Sequence, residues 1–527
     1  MFPKQLSTTP RRAWRRRLAL AALAISALPC QAGWPPAFYN LGAIPGNVGA
    51  TIEGPGLAAH AGTTLAGSCD VNGDGVPDII IGAPPGGSNG QGAVYVIFGN
   101  AAGAPPPFQM TDADVTITGE NEGDGLGTAI ACGDVNHDGF DDIVLTAPAV
   151  VPAGEAYVIY GSSTLPPTLD LTTLTTGQGM RVPGLVHNTG FGTAAAIGDV
   201  NGDGFADVVV TAPSARSSSS NTGQGFVIFG SSTLPATFDL STLNGSNGFS
   251  ITATDLYSGT PAGDSIAIGD LNGDGFGDVA MGSRSAFPNG ASDAGSTYVT
   301  FGHSGAFPAE VDVASFSGSN GFAIEAAESG HFSGSSVSFV SDFNGDGIAD
   351  LVIGAPATQS GPRFGTAYVV FGAHSFPPHF SLGSLDGSNG LALVSANLGD
   401  AAGANVSGVL DLNGDLLDDV CIGAPSSSIG VANAGGGFVV YSRRVPFPAT
   451  IDLSTLNGAT GFYMQGAAAS DAAGTACAPA GDQNRDRLHD LVIGSPLADV
   501  NGTVNVGQVY MLYGNDLIFA DGFDGAQ

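Results

Sequence analysis

Residues 199–213 read Asp-Val-Asn-Gly-Asp-Gly-Phe-Ala-Asp-Val-Val-Val-Thr-Ala-Pro, an acidic turn followed directly by an apolar run. The acidic part, Asp-x-Asn-x-Asp with a further Asp at position 9, occurs seven times along the chain. The copies begin at Asp70, Asp134, Asp199, Asp270, Asp342, Asp411 and Asp482, at intervals of 64 to 72 residues. Repetition at a nearly fixed period indicates a repeat architecture.

Every copy lies in the same local context. A short run of small and apolar residues precedes it, an apolar run follows it, and two more β-branched or aromatic runs complete the period. Gly, Pro, Asn and Asp bound these runs, which is typical of β-strands. No helical period is visible beyond residue 32. Each period therefore predicts four strands, a to d, with the acidic loop joining a to b.

Seven four-stranded units predict an all-β fold, a seven-bladed β-propeller over residues 33–514, followed by a C-terminal tail at 515–527. The first strand-like run, residues 50–54, resembles a d strand. The last run, residues 508–513, resembles a c strand with no d strand after it. We expect the N-terminal strand to complete blade seven and close the ring, because an open array would leave an exposed edge.

Residues 1–32 have the pattern of a secretory signal peptide, with five arginines before an apolar stretch and then small residues. We therefore expect a protein that is secreted or held at the cell surface, with no membrane span in the mature chain. Without the signal, 8 arginines face 47 acidic residues, a formal net charge of −39. Such a chain repels nucleic acid and attracts cations.

The mature chain contains four cysteines, which are Cys69, Cys132, Cys421 and Cys477. Export permits disulfides, and four cysteines allow three pairings. Their spacing is not that of a metal site. We slightly favour the interpretation that the four cysteines are small, buried, unpaired side chains over the interpretation that they form disulfides.

The acidic loops have the spacing of a calcium site. Oxygens at positions 1, 3 and 5 converge in one tight turn, and Ca²⁺ accepts six to eight oxygen ligands whereas Mg²⁺ retains more of its waters. An EF-hand needs Glu at position 12, where all seven copies are apolar, so that alternative is excluded. The predicted ligands at positions 1, 3, 5, 7 (carbonyl) and 9 are Asp70, Asn72, Asp74, Val76 and Asp78; Asp134, Asn136, Asp138, Phe140 and Asp142; Asp199, Asn201, Asp203, Phe205 and Asp207; Asp270, Asn272, Asp274, Phe276 and Asp278; Asp342, Asn344, Asp346, Ile348 and Asp350; Asp411, Asn413, Asp415, Leu417 and Asp419; and Asp482, Asn484, Asp486, Leu488 and Asp490.

The seven loops are not equal. Loops one to five have Gly at position 6, whereas loop six has Leu416 and loop seven has Arg487. We therefore expect five to seven calcium ions. In loop seven, arginine could partly replace the cation by pairing with Asp482 or Asp486.

The chain resembles the FG-GAP repeat family, which includes the propeller of integrin α subunits. The resemblance rests on Gly190-Phe191-Gly192, the loop at 199–207, Thr211-Ala212-Pro213 and Gly225-Phe226-Val227, and it extends over residues 35–514. It implies calcium in the a–b loops, all on one face of the disc. Unlike integrins, this chain has such loops in all seven repeats and no inserted domain between repeats two and three. It is more similar to secreted bacterial members.

No catalytic residue is predicted. Residues 86–90 match a hydrolase nucleophile pattern, but they lie in a b–c loop instead of a strand-to-helix elbow. Glu120, Glu122 and Asp124 are expected on a solvated surface.

The b–c and d–a connections should form the face opposite the calcium loops, where variable loops on a rigid scaffold commonly bind partners. Arg216, Arg284 and Arg363 lie in these loops, so an anionic partner is one option and simple solubility is another. The sequence favours a monomeric, non-catalytic binding or adhesion module for a protein or glycan. The alternative is an extracellular hydrolase or lyase that uses the loop face.

Overall fold

The computed structural model describes residues 38–84, 90–99, 108–217, 220–253, 262–326, 328–357, 364–444 and 446–514. The predicted signal peptide and the C-terminal tail lie outside these residues. Most of the hydrolase-like motif, at 85–89, and Arg363 also lie outside them.

The apolar run after each acidic loop forms strand b, which is covered on both faces. In blade one, all six residues of Asp78–Ala83 are buried. Ile79 and Ile81 pack with residues of blade seven, whereas Ile80 packs with residues of blade two. Because successive side chains point to opposite faces of a strand, one apolar run contacts both neighbouring blades. The b strands are Asp78–Ala83, Asp142–Ala147, Asp207–Ala212, Asp278–Ser283, Asp350–Ala355, Val420–Gly423 and Asp490–Ser495.

The other strands complete seven antiparallel sheets with the order a-b-c-d. The a strands are Thr64–Cys69, Ile130–Gly133, Ala195–Gly198, Ser265–Gly269, Ser336–Val340, Asn405–Gly408 and Ala476–Gly481. The c strands are Ala93–Ile97, Glu155–Ile159, Gln224–Ile228, Ser296–Thr300, Phe364–Val370, Gly436–Val440 and Gln508–Leu512. The d strands are Val115–Thr118, Gly179–Pro183, Gly248–Thr252, Gly321–Glu325, Gly390–Leu398, Gly461–Gln465 and, for blade seven, Gly49–Glu53. The predicted all-β, seven-bladed propeller is confirmed.

Blade seven contains strands from both ends of the described chain. Gly49–Glu53 pairs antiparallel with Gln508–Leu512, with Gly49 opposite Leu512 and Glu53 opposite Gln508. Ile52 of this strand is fully buried in the cluster that blade seven shares with blade one. The first and last blades are therefore joined by both strand pairing and apolar packing.

A fifth strand, which the four-strand prediction missed, lies at the outer edge of six sheets. Each one comes from the c–d connection of the next blade, or from the N-terminal segment, and pairs parallel with strand d. These edge strands are Thr168–Asp170, Glu310–Asp312, His379–Ser381, Thr450–Asp452, Phe38–Asn40 and Phe108–Gln109. Each covers an edge that would otherwise be open and links two blades.

The remaining elements are short. Residues Arg216–Ser217 and Ser220–Asn221 form a small hairpin in the b–c connection of blade three. The helices of the described chain are single 3₁₀ turns: Leu41–Ala43, Met110–Asp112, Leu171–Thr173, Leu240–Thr242, Pro288–Gly290, Val313–Ser315, Leu382–Ser384 and Leu453–Thr455.

The four cysteines form two disulfides, each between neighbouring blades. Cys69 bonds to Cys132, which joins blades one and two, and Cys421 bonds to Cys477, which joins blades six and seven. Their Cα atoms are 6.1 and 6.5 Å apart, within the range that a disulfide spans. The preference for unpaired cysteines is therefore wrong.

Both disulfides should stabilise the ring, because they close loops of 63 and 56 residues in the unfolded chain. The chain-entropy model gives about 4 kcal/mol for each. We expect Cys→Ser replacement of either pair to lower the denaturant midpoint, and reducing agent to lower that of the wild type. The variant with all four cysteines replaced is the control, since its midpoint should not respond to reductant. A wild-type midpoint that is unchanged by full reduction would refute this role.

Candidate metal centre

The acidic loop folds around its own carboxylates. In loop one, Asp70 Oδ1 accepts the Asp74 N–H (3.0 Å) and Asp70 Oδ2 accepts the Gly75 N–H (2.9 Å). Asn72 Oδ1 also accepts the Asp74 N–H, at 2.9 Å. The side-chain oxygens of positions 1 and 3 thus accept the same N–H group, that of Asp74. Asp74 Oδ1 in turn accepts the Val76 N–H at 2.8 Å. The side-chain oxygens of positions 1, 3 and 5 are brought together within one turn.

All seven loops share this arrangement. In each, one oxygen of the position 1 Asp accepts the N–H of position 6 at 2.8 to 3.0 Å. The N–H of position 7 donates to the position 5 Asp in every copy. Loops six and seven therefore keep the geometry of the first five, although both lack the position 6 glycine.

Position 6 requires a left-handed backbone conformation. Gly75 has φ 78°, and the residues that replace glycine, Leu416 and Arg487, have φ 66° and 80°. A residue with a Cβ is disfavoured there by about 1–2 kcal/mol. The surrounding hydrogen bonds hold loops six and seven in shape against this strain.

The Asp at position 9 is directed into the fold. Asp78 is fully buried; its Oδ2 accepts the Val71 N–H (2.9 Å) and its Oδ1 accepts the Gly99 N–H at the end of strand c (2.9 Å). The six other copies make the same two kinds of bond, to position 2 and to the second residue after strand c. This side chain therefore anchors the loop between strands b and c. Its additional role as a metal ligand stays a prediction.

Burial raises the pKa of these position 9 carboxyls. Burial, together with the charges of Asp70 and Asp74, raises the pKa of Asp78 from 3.8 to about 7 despite two backbone hydrogen bonds that oppose the shift. The pKa is raised to about 8 for Asp278, and well above its ordinary value for Asp419. Three carboxyls in one loop thus need either a proton or a cation to offset their repulsion.

The donor set fits a hard cation. Each loop presents carboxylate, amide and backbone carbonyl oxygens, and Ca²⁺ prefers such ligands. Within the described residues, no three His, Cys, Asp or Glu side chains are grouped closely enough to hold a metal ion. This agrees with the loop geometry, because only two of the three carboxylates converge with the Asn oxygen while the third is bonded to backbone N–H groups.

Neighbouring loops are joined by hydrogen bonds that the sequence did not reveal. The N–H at position 8 donates to the position 1 carbonyl of the preceding loop, as in Asp141 to Asp70 (3.1 Å) and Gly277 to Asp199 (2.8 Å). The Gln483 amide donates to the Pro77 carbonyl at 2.7 Å, which links blade seven to blade one. The loops on this face thus support one another laterally.

Two surface predictions are wrong. Glu120 pairs with the guanidinium of Arg181, which also lies 3.2 Å from Glu155. Asp124 is buried and accepts the Asn121 N–H at 2.7 Å. Of the three acids expected in solvent, only Glu122 is exposed.

The arginines also differ from expectation. In loop seven, no ion pair joins Arg485 or Arg487 to Asp482 or Asp486 within the described chain. On the opposite face, Arg284 lies 3.3 Å from the Asp264 carboxylate, so it already has a counter-ion.

The a strands of all seven blades line a central channel with a volume of about 500 Å³. Its walls are mostly Ala, Ser and Thr, with Asp264 near one mouth. The described lining residues include no histidine or lysine and no second charged group that would make a catalytic pair with Asp264.

Comparison with known proteins identifies the repeats. The FG-GAP repeat model matches residues 61–97, 126–159, 191–228, 262–300 and 333–370, which belong to blades one to five. The chain carries FG-GAP repeats. The predicted resemblance is confirmed, and blades six and seven, beyond the matched segments, repeat the same strand order.

The proteins to which this chain is similar include two kinds. Phosphatidylinositol-glycan-specific phospholipase D from Bos taurus is 33% identical over 32% of this chain and 20% of its own length. The Homo sapiens protein of that name is 26% identical over 75% of this chain and 46% of its own length. Integrin alpha-IIb from Mus musculus is 30% identical over 31% of this chain and 16% of its own length. The chain thus spans less than half of the length of these relatives.

None of the helices in the described part of the chain has the length and apolar character needed to cross a membrane.

The raised pKa values predict how the metal-free protein responds to pH. A carboxyl whose folded-state pKa exceeds its unfolded value of 3.8 favours folding when it is protonated, and this contribution is lost as pH rises from about 4 to about 7. We expect the melting temperature of metal-free protein to fall between about pH 5 and about pH 8. Protein saturated with Ca²⁺ is the control and should show little fall. A metal-free melting temperature that rises over this interval would contradict the assignment.

Proposed function

We propose that the protein is a secreted, calcium-stabilised, non-catalytic propeller that binds a protein or glycan, in an adhesive role, through the face opposite the calcium loops. The observation that carries this proposal is the contrast between the two faces. One face is made of seven near-identical acidic loops, and the other presents dissimilar connections with exposed apolar side chains.

Calcium would be held by the position 1, 3 and 5 side chains and the position 7 carbonyl, with the position 9 Asp close by. The bound ion would supply positive charge against the clustered carboxylates. The loop residues themselves orient the oxygens, through the N–H groups of positions 5, 6 and 7. With the lateral hydrogen bonds, such loops would keep the disc rigid, as a scaffold for recognition requires.

The opposite face supports the binding role. Among the described residues, nine large apolar side chains are exposed, and seven of them lie in b–c or d–a connections or at strand ends on this face. They are Leu57, Val151, Leu185, Val186, Phe364, Leu398 and Val504. Some of them are paired in space, because Phe364 lies opposite Leu398 on neighbouring strands. Grouped apolar residues on a surface mark interaction sites more often than single ones do.

Secretion follows from the signal-like residues 1–32, and the relatives are consistent with an extracellular setting. The formal charge of −39 argues against nucleic acid as a partner. We expect the mature protein to be a monomer.

The test is a protein and glycan array probed with calcium-loaded mature protein. We expect a ligand whose binding is weakened at least about tenfold by the double variants Leu57→Ser/Val504→Ser or Phe364→Ser/Leu398→Ser. Leu416→Ser is the matched control, because Leu416 is also exposed but lies in loop six on the calcium face. Binding of a protein or neutral glycan that is lost in the control and kept in both double variants would place that ligand on the calcium face and refute the proposal.

A second candidate is an extracellular hydrolase or lyase that acts through the loop face. It is favoured by the similarity to the phospholipases, whose name is that of an enzyme, although this chain covers less than half of their length. Turnover of glycans, esters or phosphodiesters by the purified mature chain would support this candidate over the binding role.

A further inference from the structure

Half of the arginines of the mature chain belong to one face of two neighbouring blades. Of eight, four lie on the calcium-loop face of blades six and seven. Arg443 and Arg444 follow strand c of blade six, and Arg485 and Arg487 belong to loop seven. We call these four residues the arginine patch. In a chain with a net charge of −39, these four arginines make this face of blades six and seven less acidic than that of the other blades.

Two members of the patch occupy unfavourable backbone positions. Arg485 has φ 62° and Arg487 has φ 80°, the left-handed region that glycine occupies at the same two positions of loop one. Backbone strain retained at a surface site is a reason to look for a function of the side chain. Here the replacement of glycine adds two exposed cations.

Arg443 has no counter-ion among the residues that the structure describes. Its Nε is shielded from solvent and has no hydrogen-bond acceptor, and its guanidinium carbon lies 4.4 Å from the centre of the Phe447 ring. Desolvation lowers its pKa. Because no carboxylate pairs with it there, this guanidinium is available to an anionic group that reaches its terminal nitrogens.

A cavity of about 570 Å³ lies beside this guanidinium. Its walls include Arg443 and four acceptor-bearing side chains, those of Asn413, Asp415, Asp452 and Asn457. The volume is in the range of small-ligand sites and suits two or three sugar rings. Thr450 and Thr460 add hydroxyl groups to the lining.

We propose that this cavity binds a uronic acid residue of an acidic glycan, with the sugar carboxylate on Arg443 and the sugar hydroxyls facing the Asp and Asn oxygens. One cationic donor among several acceptors is complementary to a ligand with one carboxylate and several hydroxyl donors. An acidic peptide fits less well, because its side chains bring carboxylates and few donors to a wall that already contains Asp415 and Asp452.

The site rests on the proposed calcium binding. Asp415 belongs to loop six, and the arginines at 485 and 487 are flanked by Asp482 and Asp486. Without a cation, these carboxylates would repel a sugar acid at short range. With loops six and seven occupied, the arginine patch would dominate the local potential.

The test is calorimetric titration of the full mature chain with a galacturonic acid trisaccharide at fixed free Ca²⁺, with a neutral galactose trisaccharide as the reference ligand. We expect binding of the acidic sugar only, weakened at least about tenfold by Arg443→Gln. Arg485→Gly and Arg487→Gly, which do not line the cavity, should weaken it less than Arg443→Gln does. They should leave the melting temperature equal or higher, since glycine relieves the strain. Arg284→Gln, on the opposite face, is the matched control and should bind as wild type does.

Absence of binding to the acidic trisaccharide, or equal binding by Arg443→Gln, would overturn the site. Tighter binding of a poly-Asp peptide than of the acidic trisaccharide would overturn the glycan assignment.

The melting temperature separates this proposal from the calcium proposal. If Ca²⁺ raises it and the acidic sugar does not bind, only the glycan site fails. If the sugar binds equally without Ca²⁺, the calcium dependence fails and the arginine site stands.

Discussion

The structure depends on one buried carboxylate repeated seven times. The Asp at position 9 begins strand b or immediately precedes it, and its two oxygens accept N–H groups from its own loop and from the end of strand c. In blade three, Asp207 thereby fixes Val200 and Gly230 to the same point. Buried N–H groups need acceptors, so loss of this carboxylate would leave two unpaired donors and detach the loop from its sheet. The shape of the acidic face and the packing of strand b between two neighbours both follow from this contact.

Carboxylates within the loop explain why the acidic loops tolerate variation. Leu416 and Arg487 hold the left-handed conformation without glycine because the position 1 carboxylate accepts the N–H of position 6 and the position 5 carboxylate accepts the N–H of position 7. Loops with different residues at position 6 therefore adopt the same backbone conformation. The difference between loops one to five and loops six and seven lies in the side chains that reach the surface and not in the backbone that would hold a cation.

Much of the fold could be predicted because its signals are local and repeated. The acidic turn, the apolar b strand and the last c strand at 508–512, which no d strand follows, are all visible in the sequence. The edge strands were missed because they are two or three residues long and are held by the neighbouring blade, as Thr450–Asp452 is held by Ala392–Val394. The disulfides were missed because the spacing of Cys69 and Cys132 along the chain says nothing about their proximity across two blades. The candidate ligands could be identified from their positions in the loop. The inward direction of the Asp78 side chain could not, because it depends on a hydrogen bond from the chain just after strand c, and the number of residues between the loop and strand c varies among the blades.

The most direct test of the central claim, that these loops are cation sites on which the ring depends, is the melting temperature of metal-free protein titrated with Ca²⁺ and, separately, with Mg²⁺ near neutral pH. The account predicts a large and saturable rise with Ca²⁺ that chelator reverses, and a clearly smaller rise with Mg²⁺, because the loops offer the many flexible oxygen ligands that Ca²⁺ accepts. A melting temperature that is the same in chelator and in saturating Ca²⁺ would contradict it.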